Sequence, residues 1–321
     1  MNKLIYLSLI CASLVLPHAS SAEVPRFDAM YVFGDSLSDT GNDLILSKLM
    51  GLKPAIPPSQ TPNKTYFKGR FSNGPVAFEY LWGSISQTET ASVKPSMTGA
   101  RPTQMGAISY AFGGATSGQF ARTTGDFTVP GLLSQVEAFR FGLYGRKPVQ
   151  RALYALWIGS NDYAATIPAL PTQVVNNIKR SIQRLHSLGG RQFIVLNMPD
   201  LGLTPLAQAQ GVGPDLSNIS RIHNALLAQA IAELSTSLKG IKITSIDVLS
   251  LEQDTLGSTI SGYPALETRV PGSSSCLLIN PRTCPDVELQ LKDRFFYWDV
   301  EHPTTYIHSI LGQEMHQALM N

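Results

Sequence analysis

Short, largely apolar segments recur along the chain and predict five β-strands. They are MYVF at 30–33, ISYAF at 108–112, ALYALWI at 152–158, QFIVLNM at 192–198 and IKITSID at 241–247. Continuous apolar runs of this length are typical of parallel strands that are buried on both faces. The last segment alternates apolar and polar residues, which predicts a strand at the edge of the sheet.

Segments with helical spacing lie between these strands. Residues 171–190 place apolar side chains on one helical face and end in a Gly-Gly pair, and residues 217–238 repeat the apolar pattern. The segment PVAFEYLW begins with Pro75, which predicts a proline in the first turn of a helix. Strands that alternate with helices predict an α/β fold, with one parallel sheet between two layers of helices.

The composition is that of a globular protein, and the net charge gives no support to a nucleic-acid partner. The 321 residues are 43% hydrophobic and 15% charged, which is a globular composition that permits one large domain or two small ones. A net charge of +2 does not indicate a nucleic-acid partner. Two stretches rich in Pro, Ser, Thr and Gly, at about 51–107 and 254–298, interrupt the alternation. We interpret them as insertions around the mouth of a site, with ordinary surface elaboration as the alternative.

The first 22 residues are typical of a secretory signal peptide. Lys3 precedes an apolar run at 4–16, and small residues lead to Ala22, where we expect cleavage. The expected location is therefore secreted or periplasmic. A transmembrane anchor is the alternative, but the run is shorter than the ~20 residues that span a bilayer. The bulky Ile10 disfavours a lipid anchor on Cys11.

Two cysteines remain after the predicted signal peptide, Cys276 and Cys284. In an exported protein, a pair so close in sequence predicts a disulfide bond, with two free thiols as the alternative. Their spacing is not that of a metal site, and no histidine lies nearby.

The stretch YVFGDSLSDTGND at 31–43 runs from a predicted strand directly into a turn. Such a turn presents Ser36 as a candidate nucleophile at the strand end, although a strand followed by a capped helix gives a similar pattern. We expect Asp35, Asp39 and Asn42 to hold this turn by local hydrogen bonds. The nucleophile elbow G-x-S-x-G is absent at Ser36, so the chain order typical of the α/β-hydrolases does not apply.

A nucleophilic serine needs a base, and His302 is the candidate among six histidines. It lies in YWDVEHPTT, three residues after Asp299, a spacing that places both side chains on one side of a turn. We prefer Asp299 to Glu301 as the orienting acid, because the adjacent Glu301 would point elsewhere. Pro303 and Thr304 are expected to begin the final helix. The other histidines are interpreted as structural or as part of the signal: His18, His186, His223, His308 and His316.

Small and polar residues also follow the second and third predicted strands. Gly113 and Gly114 follow the second, and Asn161 follows the third. If the strand order is 2-1-3-4-5, these turns flank Ser36 at the carboxyl edge of the sheet. The N–H groups of Ser36 and Gly114 and the amide of Asn161 would then converge as an oxyanion hole. The adjacent glycines leave the choice between Gly113 and Gly114 open.

The blocks FGDSLSDTGN, GGA, GSND and DVEHP, in this order from 33 to 303, resemble those of the GDSL esterases and lipases, the SGNH hydrolases. The resemblance implies a flavodoxin-like three-layer α/β/α sandwich, a single domain over 23–321, and ester hydrolysis through an acyl-enzyme without a cofactor or metal. It implies that Ser36 is the nucleophile, His302 the base and Asp299 its orienting acid. Ser36, Gly114 and Asn161 would form the oxyanion hole. GRFSNGPVAFEYL at 69–81 resembles a segment of the longer members.

The substrate is expected to be a lipid acyl ester, because the chain resembles secreted bacterial phospholipases, lysophospholipases and lipid acyltransferases of this family. Transient contact with a membrane surface is compatible with that expectation. A short-chain or carbohydrate acetylesterase is the alternative, and a secreted binding protein without turnover is a third interpretation. Four apolar side chains are candidates for an acyl groove, with a buried helix face as the alternative: Phe139, Phe141, Leu143 and Tyr144.

Overall fold

The computed structural model describes residues 26–60, 66–122, 127–164, 169–256 and 296–321. The predicted signal peptide, the pair Cys276 and Cys284, and most of the 254–298 stretch lie outside the described residues.

Within the described ranges, six parallel strands form the central sheet, in the order β2-β3-β1-β6-β7-β8. A separate antiparallel pair, β4 and β5, forms a small hairpin. The strands are β1 (Ala29–Gly34), β2 (Val93–Pro95), β3 (Gly106–Ser109), β4 (Phe120–Arg122), β5 (Thr128–Pro130), β6 (Ala152–Trp157), β7 (Gln192–Leu196) and β8 (Lys242–Ile246).

The five predicted strands are all present, and their order 2-1-3-4-5 is confirmed. The last of them, β8, lies at one edge of the sheet, as its alternating sequence predicted. The count of five was one too low. The additional strand β2 has only three residues, includes a proline and lies at the opposite edge, so it carries no apolar run by which the sequence could reveal it.

Helices cover both faces of the sheet. They are α1 (Asn42–Leu49), α2 (Ala77–Ile85), α3 (Leu132–Gly142), α4 (Ser160–Tyr163), α5 (Pro171–Ser187), α6 (Pro205–Gln210), α7 (Gly213–Ser237), α8 (Val248–Leu256) and α9 (Thr305–Met320). The expected start of the final helix is confirmed, with Thr304 as the N-cap of α9. In the described part of the chain, no helix has the length and apolar character needed to cross a membrane.

The prediction that Pro75 occupies the first turn of a helix is wrong. Helix α2 begins at Ala77, and Val76 is its N-cap with extended backbone angles. The Glu79 carboxylate accepts the N–H of Val76 at 3.1 Å, which caps the helix one residue after the proline. Pro75 therefore precedes the helix.

Alternate residues of β1 point into two separate cores, one on each face of the sheet. Tyr31 and Phe33 join a cluster with side chains of α3, α5 and α7, whereas Met30 and Val32 join a cluster with side chains of α2 and α9. This alternation is the period-two geometry of a strand that is buried on both sides. The result is the three-layer α/β/α sandwich that the sequence implied.

A buried glutamine fixes the carboxyl end of β1. The Gln135 side chain on α3 accepts the N–H of Gly34 at 2.9 Å and donates to the carbonyl of Gly34 at 2.8 Å. Both Gln135 and the strand end are fully buried. The backbone that leads into Ser36 is therefore held from the helical layer as well as by the sheet.

Candidate active site

The turn that carries Ser36 is closed by its own backbone and by the preceding aspartate. Ser38 donates its N–H to the carbonyl of Asp35 at 3.0 Å, and the Asp35 carboxylate accepts the N–H of Leu37 at 3.1 Å. Ser36 is itself buried, with 8% of its surface exposed, and it lines a cavity at the carboxyl edge of the sheet. The end of β1 thus presents a serine in a rigid turn.

The polar cluster after Ser36 is only partly local. The Asp39 carboxylate accepts the N–H groups of Gly41 at 2.7 Å and Asn42 at 2.6 Å, as expected for a turn-forming aspartate. The Asn42 side chain instead reaches the next strand and donates to the carbonyls of Ser109 and Ala111, both at 2.9 Å. The expectation of local bonds is correct for Asp39 and wrong for the Asn42 side chain, which joins the turn to the end of β3.

Asp299 and His302 lie on a narrow loop between two paired segments. Trp298 donates its N–H to the carbonyl of His302 at 2.7 Å, and Thr304 donates to the carbonyl of Phe296 at 2.8 Å. The His302 Nδ1 lies 2.7 Å from Asp299 Oδ2 and 2.9 Å from Oδ1. These bonds fix the orientation of the imidazole ring, and they leave Nε2 as the ring nitrogen that can accept a proton.

The backbone of the same loop also binds the Asp299 carboxylate. Its Oδ1 accepts the N–H groups of Glu301 and His302, both at 2.8 Å. Glu301 is exposed, so the two neighbouring acids are in different environments. The geometry agrees with the preference for Asp299 as the acid that orients the imidazole.

Electrostatics at this pair favour an ionised acid and a basic imidazole. Burial opposes the charge of Asp299, but the charge and hydrogen bond of His302 and the backbone N–H groups outweigh it and lower the pKa of Asp299. Burial likewise opposes protonation of His302. The charge and hydrogen bond of Asp299, with smaller contributions from Glu301 and Asp35, nevertheless raise the pKa of His302 above its usual value.

Two turns bring candidate oxyanion donors to the same edge. Gly114 follows β3 with φ of 74°, a left-handed conformation that glycine adopts without strain. Among the described residues, no acceptor takes the N–H of Gly114 or of Ser36. The N–H of Gly113, in contrast, points toward the Asp39 carboxylate at 3.4 Å. This difference favours Gly114 over Gly113 as a donor.

The third candidate donor, Asn161, is held against the Gly114 turn. Its Nδ2 donates to the carbonyl of Ala115 at 3.0 Å, which leaves a second amide hydrogen. The carboxylate of the adjacent Asp162 accepts two hydrogen bonds from Ser117, one from its N–H at 2.8 Å and one from its hydroxyl at 2.7 Å. The turns after β3 and β6 are therefore joined side by side.

A cavity of about 610 Å³ opens beside these residues. Ser36, Asn161 and His302 all line it, so the structure brings these three candidates to one space, and Asp299 lies behind His302. Most of the described wall is aliphatic or aromatic. The aliphatic and aromatic side chains of this wall are Leu37, Trp157, Tyr163, Ala164, Pro199, Leu201, Leu206, Ala207, Val212, Leu216, Ile219, Val248, Leu251, Phe296, Tyr297, Pro303, Ile307, Ile310 and Leu311.

The side chains suggested for an acyl groove are not among the described residues that line this cavity. Phe139 and Leu143 are buried in the core beneath the sheet, where Phe139 packs against four aromatic rings. Phe141 and Tyr144 are exposed, at 64% and 77%. The buried helix face is therefore the correct interpretation for the first two, because apolar side chains on one helix divide between the core and solvent.

The sequence did not identify the residues that support the candidate triad. Tyr66 donates its hydroxyl to Asp299 Oδ2 at 2.8 Å, and the Phe71 ring lies 5.2 Å from the His302 ring. Phe71 lies in the block at 69–81, to which the family resemblance assigns no chemical role, and Tyr66 precedes that block. No local pattern reveals a partner more than 200 residues away, so only the folded chain shows these contacts.

Comparison with known proteins identifies the family. The family model of the GDSL-like lipases/acylhydrolases matches residues 30–315. The phosphatidylcholine-sterol acyltransferase of Aeromonas hydrophila is 28% identical, with 90% of this chain and 89% of that relative covered. GDSL esterase/lipase 5 of Arabidopsis thaliana is 26% identical, with 68% of this chain and 63% of that relative covered. The chain belongs to the GDSL-like lipase/acylhydrolase family and is a carboxylic ester hydrolase.

Solved structures that the chain matches include an acetylxylan esterase of Geobacillus stearothermophilus and a carbohydrate acetylesterase of Sinorhizobium meliloti. The first is 12% identical with a TM-score of 0.47, covering 93% of this chain and 96% of that one. The second is 13% identical with a TM-score of 0.44, covering 90% and 96%.

Proposed function

We propose that this esterase acts on lipid acyl esters through a Ser36–His302–Asp299 triad. We base this proposal on the cavity of about 610 Å³, which is lined by Ser36, His302 and mainly apolar side chains. An acyl chain gains about 0.8 kcal/mol for each CH₂ group that it buries, so such a wall favours long chains over acetyl groups. The likeness to a phosphatidylcholine-sterol acyltransferase supports the same substrate class.

In the proposed reaction, the Ser36 hydroxyl attacks the ester carbonyl while His302 Nε2 takes its proton. The new oxyanion accepts hydrogen bonds from the N–H groups of Ser36 and Gly114 and from the Asn161 amide. His302 then gives the proton to the departing alcohol, which leaves an acyl-enzyme. Water, activated by the same imidazole, releases the fatty acid and restores Ser36. Asp299 holds the imidazole and stays ionised throughout.

Acyl transfer is an extension of this proposal. A lipid alcohol in place of water in the second half-reaction would form a new ester with the same residues. The name of the Aeromonas hydrophila relative makes a sterol the first acceptor to test. Formation of cholesteryl ester from phosphatidylcholine and cholesterol would support transfer, whereas free fatty acid alone would support hydrolysis.

The test of the substrate class is a chain-length series. Fatty-acid release is measured from lysophosphatidylcholine, from diacyl phosphatidylcholine and from p-nitrophenyl esters of two to sixteen carbons. The proposal predicts the highest kcat/KM on the long-chain esters. Activity confined to acetyl and butyryl esters would contradict it and would favour the acetylesterase alternative. A protein that turns over none of them would revive the alternative of a binding protein.

The proposal includes export and a disulfide bond between Cys276 and Cys284. Export rests on the signal-like residues 1–22, and the disulfide rests on export together with the cysteine spacing. Mass spectrometry of protein recovered from the periplasm and from the medium tests cleavage after Ala22 and locates the product. Peptide mapping without reductant tests the cysteine pair.

A further inference from the structure

Residues 66–75 form a brace behind the loop that carries Asp299 and His302. Besides the bond from Tyr66 to Asp299, the Ser72 hydroxyl donates to the carbonyl of Pro303 at 3.0 Å. The brace also holds the start of the final helix, because the Asn73 side chain accepts the N–H of Thr305 at 2.8 Å. Its contacts thus lie on both sides of His302 along the chain.

Phe71, within the brace, joins the histidine to the oxyanion turn. Its ring lies 5.2 Å from the His302 ring, with an angle of 33° between their planes. A Cβ atom placed on Gly113 would lie 2.4 Å from atoms of the same ring. The Phe71 ring therefore packs between the base and the turn that carries Gly114.

The brace is itself rigidly attached to the fold. The Arg70 guanidinium binds the Glu79 carboxylate of α2 with two bonds, at 3.1 Å and 2.5 Å. Both side chains are largely buried, at 14% and 7% exposure. A two-bond pair of this kind fixes direction as well as distance. The Tyr66 hydroxyl is thus presented to Asp299 by a fixed support.

We propose that Tyr66 is a positioning residue that sets the orientation and the effective charge of Asp299, and through it the basicity of His302. This inference rests on the proposed triad. The Tyr66 hydroxyl shares Asp299 Oδ2 with His302 Nδ1, at 2.8 Å and 2.7 Å respectively. The two donors therefore compete for the negative charge of one oxygen. Burial and the adjacent Asp299 raise the pKa of Tyr66, which keeps its hydroxyl protonated as a donor.

The sign of the effect follows from this competition. A hydroxyl bonded to the carboxylate absorbs part of its charge and so weakens its attraction for the imidazolium. Without that hydroxyl, Asp299 holds the imidazolium more strongly, and the pKa of His302 rises. The other charges that act on His302 are those of Glu301 and Asp35, and the substitution leaves both groups in place. His308 lies nearby, but burial lowers its pKa to about 3, so it is neutral in the range where His302 titrates.

The decisive variant is Tyr66→Phe, which removes the hydroxyl and keeps the ring. We expect kcat to fall about 10-fold, which is the effect of losing a hydrogen bond to a charged group, with KM within about twofold of wild type. The acid limb of the kcat/KM profile should move to higher pH by about half a unit. The proton resonance of His302 Nδ1–H should also shift, because Asp299 Oδ2 has lost its other donor.

The matched control is Tyr31→Phe. Tyr31 is a buried tyrosine whose hydroxyl donates to the carbonyl of Pro102, and it is not among the described residues that line the cavity. The Tyr31→Phe substitution should lower the melting temperature and leave the pH profile of activity unchanged. A Tyr66→Phe protein with wild-type kcat and an unmoved acid limb would overturn the inference, as would a loss that Tyr31→Phe reproduces in full.

A second variant, Ser72→Ala, tests the brace from its other contact. It should lower kcat with KM and the acid limb unchanged, since the Pro303 carbonyl carries no charge. Failure of the proposed function would look different, because the wild-type protein would be inactive or Ser36→Ala would remain active. If activity depends on Ser36 but is unchanged by both Tyr66→Phe and Ser72→Ala, only the positioning role of Tyr66 is contradicted.

Discussion

The side-chain amide of Asn161 is bound to the carbonyl of Ala115, the residue that follows Gly114. This bond joins the turns after β3 and β6, the two strands that flank β1 in the sheet. Gly114 and Asn161 are 47 positions apart in the chain, and the bond holds their turns together. The proposed oxyanion hole would therefore be ordered before substrate binds.

Replacing Asn161 tests that arrangement. Asn161→Ala removes one oxyanion donor, so kcat should fall about 10²- to 10³-fold while KM changes little. Steady-state kinetics on a p-nitrophenyl ester measure the loss, with the melting temperature as a check on folding. A rate within twofold of wild type would remove Asn161 from the oxyanion hole.

The pH dependence of activity provides a second test. The base must be unprotonated, so activity rises as pH passes the pKa of His302, which Asp299 raises above its usual value of about 6.5. The midpoint of the acid limb of kcat/KM should therefore lie above pH 6.5. Asp299→Asn should lower kcat by about 10³- to 10⁴-fold and move the midpoint to lower pH, because the attractive charge is gone. A midpoint unchanged by Asp299→Asn would show that the charge of Asp299 does not set the pKa of His302.

The cavity wall should decide chain-length preference. Ile219 on α7 lines the cavity, and Ile219→Trp would fill part of its volume. We expect lower kcat/KM for twelve- to sixteen-carbon esters and little change for acetyl and butyryl esters. Ile222→Trp, three residues further along the same helix, is the matched control, because Ile222 is 44% exposed and is not among the described lining residues. Equal effects of the two variants on long chains would exclude the cavity as the acyl site.

Replacing the buried Gln135 should lower the free energy of unfolding more than replacing a typical surface side chain. Gln135→Ala leaves the buried N–H of Gly34 without the Gln135 oxygen that accepts it, which costs about 1–3 kcal/mol, whereas the carbonyl of Gly34 keeps the N–H of Phe112 at 3.3 Å. Urea denaturation should show that loss, and kcat should fall because the Ser36 turn follows Gly34. Gln183→Ala, at an exposed position on α5, is the control and should change stability by less than about 0.5 kcal/mol.

The sequence predicted the central strands and the chemistry at their ends, because both leave local patterns. β1 and β6 are continuous apolar runs, and Ser36 and Asn161 follow them directly. His302 could be selected because Asp299 precedes it by one turn. β2 was missed because an edge strand of three residues has no pattern of its own. Tyr66 was missed because its partner lies 233 residues away, and only tertiary packing brings such pairs together.

Fatty-acid release from lysophosphatidylcholine, with wild type and Ser36→Ala compared at equal concentration, tests whether Ser36 attacks lipid acyl esters. We expect steady release by wild type, none above background by Ser36→Ala, and the same melting temperature for both proteins. Release by Ser36→Ala at the wild-type rate would contradict the proposed nucleophile. Release from acetyl esters but not from lysophosphatidylcholine would contradict the proposed substrate.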